Sequence, residues 1–128
     1  MKPLTREWVE KAEGDFLVAV QIMRRRKQRV YDAACFHSQQ AVEKYFKARL
    51  AEAGLSFPRT HDLPALLQLL LPIEPLWKSY DPAAKSLTEY AVNFRYPGDN
   101  ATLSEAKSAL KHCRSLRAEA RRSLGLKN

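Results

Sequence analysis

Apolar residues recur at three- and four-residue steps through most of the chain, the period of helices lying against a shared core. After Thr5, a good N-cap, Trp8, Ala12, Phe16, Ala19 and Met23 form one stripe, which predicts a first helix over 5–27. The pattern returns over 30–53 through Tyr31, Ala34, Ser38, Ala41, Tyr45 and Ala48, with Cys35, Val42, Phe46 and Leu50 widening it. A stripe that broad predicts a helix buried on two sides, and Gly54 follows it as a C′ residue. Periodicity then lapses from Ser56 to His61. Asp62 can cap a short helix over 62–71 that Pro72 and Pro75 stop, leaving at most a helical turn before Tyr80. Asp81 and Pro82 read as N-cap and N1 of a fourth helix that buries Ala84, Leu87, Ala91 and Phe94 and ends before Pro97 and Gly98. Thr102 and Glu105 make a capping-box pair ahead of Leu103, Ala106, Leu110, Cys113, Ala120 and Leu124, so a last helix should run to about Ser123.

Four long helices and a short one, joined by short connections, predict an all-α up-and-down bundle with consecutive helices antiparallel. In that arrangement Arg59, His61, Arg95 and the helix start at Thr102 should meet at one pole. The run Arg24, Arg25, Arg26, Lys27, Gln28, Arg29 should lie at the other with Arg121, Arg122 and Lys127.

Length and composition narrow this picture. At 128 residues the chain has room for a single domain, 1–128, and 45% apolar with 28% charged residues is the balance of a folded chain rather than a disordered one. The greasiest stretch, Leu63 to Ile73, is broken by Pro64, Gln68 and Pro72 and falls short of the roughly 20 residues a membrane span needs. The first residues lack the apolar core of a secretory signal, so a cytoplasmic protein is expected, with Cys35 and Cys113 as reduced thiols. A net charge of +8 favours an anionic partner: a nucleic acid, a nucleotide or an acidic protein.

The segment Ala34 to Ala48 is unusually polar for the middle of an apolar-striped helix. His37, Gln40 and Lys44 share one face at i, i+3 and i+7, and Glu43 can pair with Lys47 at i, i+4. Such residues either satisfy one another across a helix interface or line a polar cleft for a base or phosphate. Arg59 and Arg95 offer guanidinium forks that fit phosphate, or pair with Asp62 and Asp99. Tyr96 can stack a base or pack beside Pro97. The arginine run has no interleaved aromatic before Tyr31, so it reads as a solvated helix end or as a general contact to polyanions. His112 and Cys113 point to different helix faces; no metal set, glycine-rich phosphate loop or Ser/His/Asp order is legible, and no cofactor is expected.

Three segments carry a resemblance: Ala-Cys-Phe-His-Ser-Gln-Gln-Ala-Val-Glu-Lys at 34–44, Arg-Thr-His-Asp-Leu at 59–63 and Asn-Phe-Arg-Tyr-Pro at 93–97, together with Trp8 and Asp15. In this order and spacing they resemble HEPN domains, the "higher eukaryotes and prokaryotes nucleotide-binding" family. The resemblance implies a helical bundle that dimerises, a nucleotide or RNA ligand, and a minimal nucleotidyltransferase as partner, commonly as toxin and antitoxin. It also implies, for many members, a metal-independent ribonuclease built on an arginine followed four to six residues later by a histidine. Arg95 matches the arginine, but Asn100, Ala101 and Thr102 stand where the histidine belongs, and asparagine cannot exchange a proton near neutral pH. Arg95 is thus catalytic only if another group supplies the acid and base, for which His61 is the candidate. Three functions follow as alternatives: a nucleotide- or RNA-binding domain, a ribonuclease toxin using Arg95, or a structural dimer. A homodimer is expected to pack through the second and fourth helices, with no membrane involved.

Overall fold

The computed structural model describes residues 1–128 and is helical throughout: α1 (Pro3–Arg24), α2 (Tyr31–Glu52), α3 (Leu63–Leu70), a 3-10 segment (Pro75–Tyr80), α4 (Asp81–Asn93) and α5 (Leu103–Ser123). No helix is long and apolar enough to cross a membrane.

α2 is the axis of the molecule and packs against each of the other helices. Its small residues Ala34, Cys35, Ala41 and Ala48 are fully buried and let neighbours approach closely, while Tyr45, Phe46 and Leu50 fill the space between them. α1 contributes Val9, Ala12, Phe16 and Val20, and α5 contributes Ala106, Ala109, Cys113 and Leu116. α3 buries Leu63, Leu66, Leu67 and Leu70 completely, and replacing any of these with alanine should cost about 2–5 kcal/mol.

Several caps follow the sequence, but Thr5 is not one: α1 begins at Pro3, and Thr5 is buried inside it, its hydroxyl donating to Glu52 at 2.9 Å. Asp62 accepts from the Ala65 amide at 3.2 Å, and Thr102 and Glu105 form the full capping box. Gly54 takes φ +71° after α2, where a side chain would be strained.

Expectations about local detail also need correction. α1 stops at Arg24 rather than residue 27, because Met23 is its last apolar anchor and the like-charged residues beyond it have nothing to pack on; Arg25 is extended and Gln28 turns at φ +55°. Asp81 is not an N-cap: the 3-10 segment, held by buried Trp77 stacked at 6.0 Å on Phe46, runs straight into α4, and the Asp81 carboxylate pairs with Lys85 at 3.0 Å. On α5, Leu103 is exposed and Leu110 and Leu124 are only half-buried, whereas Ala109 and Leu116 are buried.

The largest correction concerns which residues share an end. Antiparallel α1 and α2 are fixed by Thr5–Glu52 and Tyr45–Glu13 hydrogen bonds. After α2, the segment 53–62 travels back along its side, so that His61 reaches Glu43, and α3 then climbs again until Glu74 meets Arg49. The non-helical segment, not α3, makes the return pass, and α4 therefore runs opposite to α2. Arg95 and the start of α5 consequently lie at the end where α2 begins, beside the arginine run, while Arg121 and Arg122 lie at the far end. Arg59 and His61 sit on the flank, at neither end.

Candidate functional site

The polar residues of α2 divide into three networks. On the side facing α1, Asp15 accepts from Lys44 at 2.5 Å and contacts His37 Nδ1 at 2.8 Å, so His37 and Lys44 share a face as expected but both are engaged by one carboxylate. Further along that seam Glu13 receives a bidentate fork from Arg117, both bonds at 2.7 Å, and the Tyr45 hydroxyl at 2.5 Å; Arg121 also donates to that hydroxyl at 3.0 Å. Burial alone would raise the Glu13 pKa, but the hydrogen bonds from Arg117 and Tyr45 outweigh it and hold the carboxyl below its ordinary range. Burial and the neighbouring Glu13 push the Tyr45 phenol up, so it stays a donor.

The third network centres on Glu43, whose side chain is only 4% exposed. Lys47 Nζ lies 3.0 Å from Oε2, His61 Nδ1 lies 2.9 Å from Oε1, and Gln39 donates to Oε1 at 3.1 Å. Gln40 joins through Gln39 Oε1 at 2.7 Å and Glu43 at 3.4 Å, and Gln39 also donates to the His61 carbonyl. Burial works against the charged form of Glu43, yet these donors lower its pKa overall. The i, i+4 pairing of Glu43 with Lys47 is as the sequence expects.

At the end where α2 begins, exposed Arg95 lines a cleft of about 290 Å³ with Val30, Asp32, Phe36, Tyr90 and Phe94; Tyr96, next in the chain, is exposed but is not part of its lining. Asp32 accepts the Ala101 amide at 2.7 Å and so anchors the loop into α5. A second groove of about 370 Å³ follows the seam of α1 and α5, with Met23, Arg29, Lys107, Leu110, Lys111 and Arg114 as walls. Neither Arg59 nor Arg95 reaches a carboxylate, so the alternative in which they pair with Asp62 and Asp99 does not form.

The HEPN domain model matches residues 5–123 of the sequence. The chain belongs to the HEPN domain family. A solved structure, the crystal structure of TT1696 from Thermus thermophilus, is similar at 25% identity with a TM-score of 0.79, over 92% of this chain and 96% of that one. Among curated proteins none matches significantly. As a HEPN domain, the chain is a nucleotide- or RNA-related helical bundle.

Within this HEPN bundle the residues singled out from sequence fall in three places: His37 and Lys44 between α1 and α2, Gln40, Arg59 and His61 around Glu43 and its flank, and Arg95 with Tyr96 at the end. The residues after Arg95 have structural work instead of a histidine's: Ala101 is buried and bonded to Asp32, and Thr102 caps α5. Sequence reading missed the cationic face of α5. Lys107, Lys111 and Arg114 recur at i, i+4 and i+7, a spacing that puts like charges side by side and that could have been noticed.

Proposed function

We propose that this HEPN domain binds RNA or nucleotide phosphates at the Arg95 end, as a homodimer, and works beside a minimal nucleotidyltransferase in a two-component system of toxin and antitoxin type. One observation carries the binding reading. Arg24, Arg25, Arg26, Lys27, Arg29, Arg95, Lys107, Lys111 and Arg114 converge toward that end and along its groove, and not one lies within ion-pair reach of a carboxylate. Clustered cations without counter-charges repel one another, and a phosphodiester backbone relieves that repulsion with release of its own counterions. Half-buried Phe36, Tyr90 and Phe94 with exposed Val30, beside Arg95, support a second copy packing through α2 and α4, which would bring two such ends together.

Binding without cleavage is the better reading because no histidine accompanies Arg95: His37 faces Asp15, His61 is held by Glu43 on the flank, and His112 is on α5, where burial and Lys111 depress its pKa. Fluorescence anisotropy with a labelled single-stranded RNA tests this. Arg95→Ala is expected to weaken binding by about 1.5–3 kcal/mol, the worth of a charged hydrogen bond. Metal-independent cleavage of that RNA, abolished by Arg95→Ala, would replace the reading with the ribonuclease one. Capture of the native partner followed by its mass identification tests the nucleotidyltransferase.

A further inference from the structure

The flank beneath the 53–62 segment holds a cleft of about 570 Å³, within the size range of small-ligand pockets. One wall is aromatic: Trp8 and Phe57 meet edge to face with ring centroids 6.1 Å apart. Lys47, Arg59, Thr60 and His61 complete the lining. The Lys47 ammonium is buried, 3.0 Å from Glu43 and 5.5 Å from the Trp8 ring centroid. Glu43 is the carboxylate at this spot, and its oxygens are already occupied by Lys47, His61, Gln39 and Gln40. The cleft is therefore rich in donors and short of acceptors.

His61 is arranged unlike an ordinary surface histidine. Its side chain is 71% exposed, yet Nδ1 is fixed 2.9 Å from a carboxylate that is almost wholly buried. An ionised carboxylate only accepts, so Nδ1 carries a proton, and Nε2 is the nitrogen left for a ligand: it donates to a phosphate oxygen when the ring is imidazolium, the form that a buried carboxylate on one side and a phosphate on the other both favour. Arg59, two residues earlier, has no ion pair in the chain.

From this juxtaposition we infer that the cleft is a binding site for a terminal phosphate joined to a nucleobase, the base lying on Trp8 and Phe57 and the phosphate held by Arg59 and His61 Nε2 in front of Lys47. The aromatic wall supplies stacking area, the guanidinium supplies a fork matched to phosphate oxygens, and Glu43 supplies the orientation of the imidazole. The site is separate from the Arg95 end and does not depend on RNA binding there.

Titration of the full-length, nitrogen-15-labelled protein with AMP, followed by NMR, tests it. The Trp8 indole N–H and the His61 ring signals are expected to shift together, while inorganic phosphate alone moves His61 without Trp8. His61→Asn and Arg59→Ala should each weaken AMP roughly tenfold or more, the scale of one charge-assisted hydrogen bond. Asparagine can keep the nitrogen that faces Glu43 while losing the one that faces the ligand, so the amide signals of 53–62 should stay in place. Glutamine at the same position reaches toward the Nε2 site and should recover part of the affinity. A trinucleotide bearing a 5′-phosphate, the other source of this chemistry, distinguishes an RNA end from a free nucleotide by whether it binds more tightly than AMP. Unchanged AMP affinity in His61→Asn or Arg59→Ala overturns the assignment, as does loss of the Trp8 shift in Arg95→Ala. RNA anisotropy with Arg95→Ala reports on the other end regardless of these results.

Discussion

Where α2 ends, Arg49, Arg117, Arg121 and Arg122 each reach a carboxylate, Glu74, Glu13, Glu13 and Glu119 in turn; where α2 begins, Arg24, Arg25, Arg26, Arg29 and Arg95 reach none. The same residue type thus serves two purposes in one small bundle. Forks on half-buried Glu13 lock α5 against α1, with Arg121 also reaching Tyr45 of α2; Arg49 ties α2 to the segment after α3, and Arg122 pairs within α5. Forks without a carboxylate make at most local bonds, as Arg25 to Gln28 and Arg29 to the Arg25 carbonyl do within the turn, and stand ready for an anion at the cost of mutual repulsion.

The most damaging way to break that contrast is at Glu13. Glu13→Ala leaves Arg117 and Arg121 partly buried without their counter-charge and removes the acceptor of the Tyr45 hydroxyl, so stability should fall by about 3 kcal/mol, the low end for a broken buried pair because Glu13 keeps 27% exposure. The urea midpoint checks it. Acid should loosen the same end. Glu13 and Glu119 have folded-state pKa values below the ordinary 4.5, so their contribution is complete above that value and is lost as the pH falls through the lower folded pKa. Hydrogen exchange below pH 4.5 is expected to speed up in the last turns of α5 before it does so in α4; the reverse order would show that these pairs do not hold the end.

At the open end the expected effects on stability are small and of opposite sign. Arg25→Gln with Arg26→Gln should change stability by no more than about 0.5 kcal/mol, upward, because it relieves repulsion. The same double change should flatten the salt dependence of single-stranded RNA binding by about 0.7 for each phosphate no longer neutralised. A loss of stability comparable to that of Glu13→Ala would erase the distinction between the two ends.

Sequence periodicity located every helix because each buries an apolar face; Asp62, Gly54 and the Thr102–Glu105 box stand where the pattern puts them, whereas Thr5 and Asp81 lie inside their helices. Which residues share an end was not legible, since it turned on whether α3 or the segment before it makes the return pass. That choice is made by tertiary bonds from Gln39 and Glu43 to His61, which no local pattern announces. The polar face of α2 was visible from its spacing, and so was the Glu43–Lys47 pair. The partners from α1 and α5, Asp15, Glu13, Arg117 and Arg121, are distant in sequence, and nothing in a single chain couples Glu13 to a guanidinium 104 residues away.

The hairpin of α1 and α2 also sets an order of events. Its two helices are neighbours in sequence, and their contacts, Thr5 with Glu52, Glu13 with Tyr45, Asp15 with His37 and Lys44, form by closing one short turn. Contacts so local form early, before α4 and α5 can dock on the exposed side of α2. Val9→Ala on α1, whose packing is mainly on α2, is therefore expected to slow refolding, whereas Leu87→Ala on α4 should chiefly speed unfolding, a split that stopped-flow chevrons resolve. Emerging from synthesis, the first half of the chain would already hold the scaffold on which both the open arginines and the flank cleft are later completed.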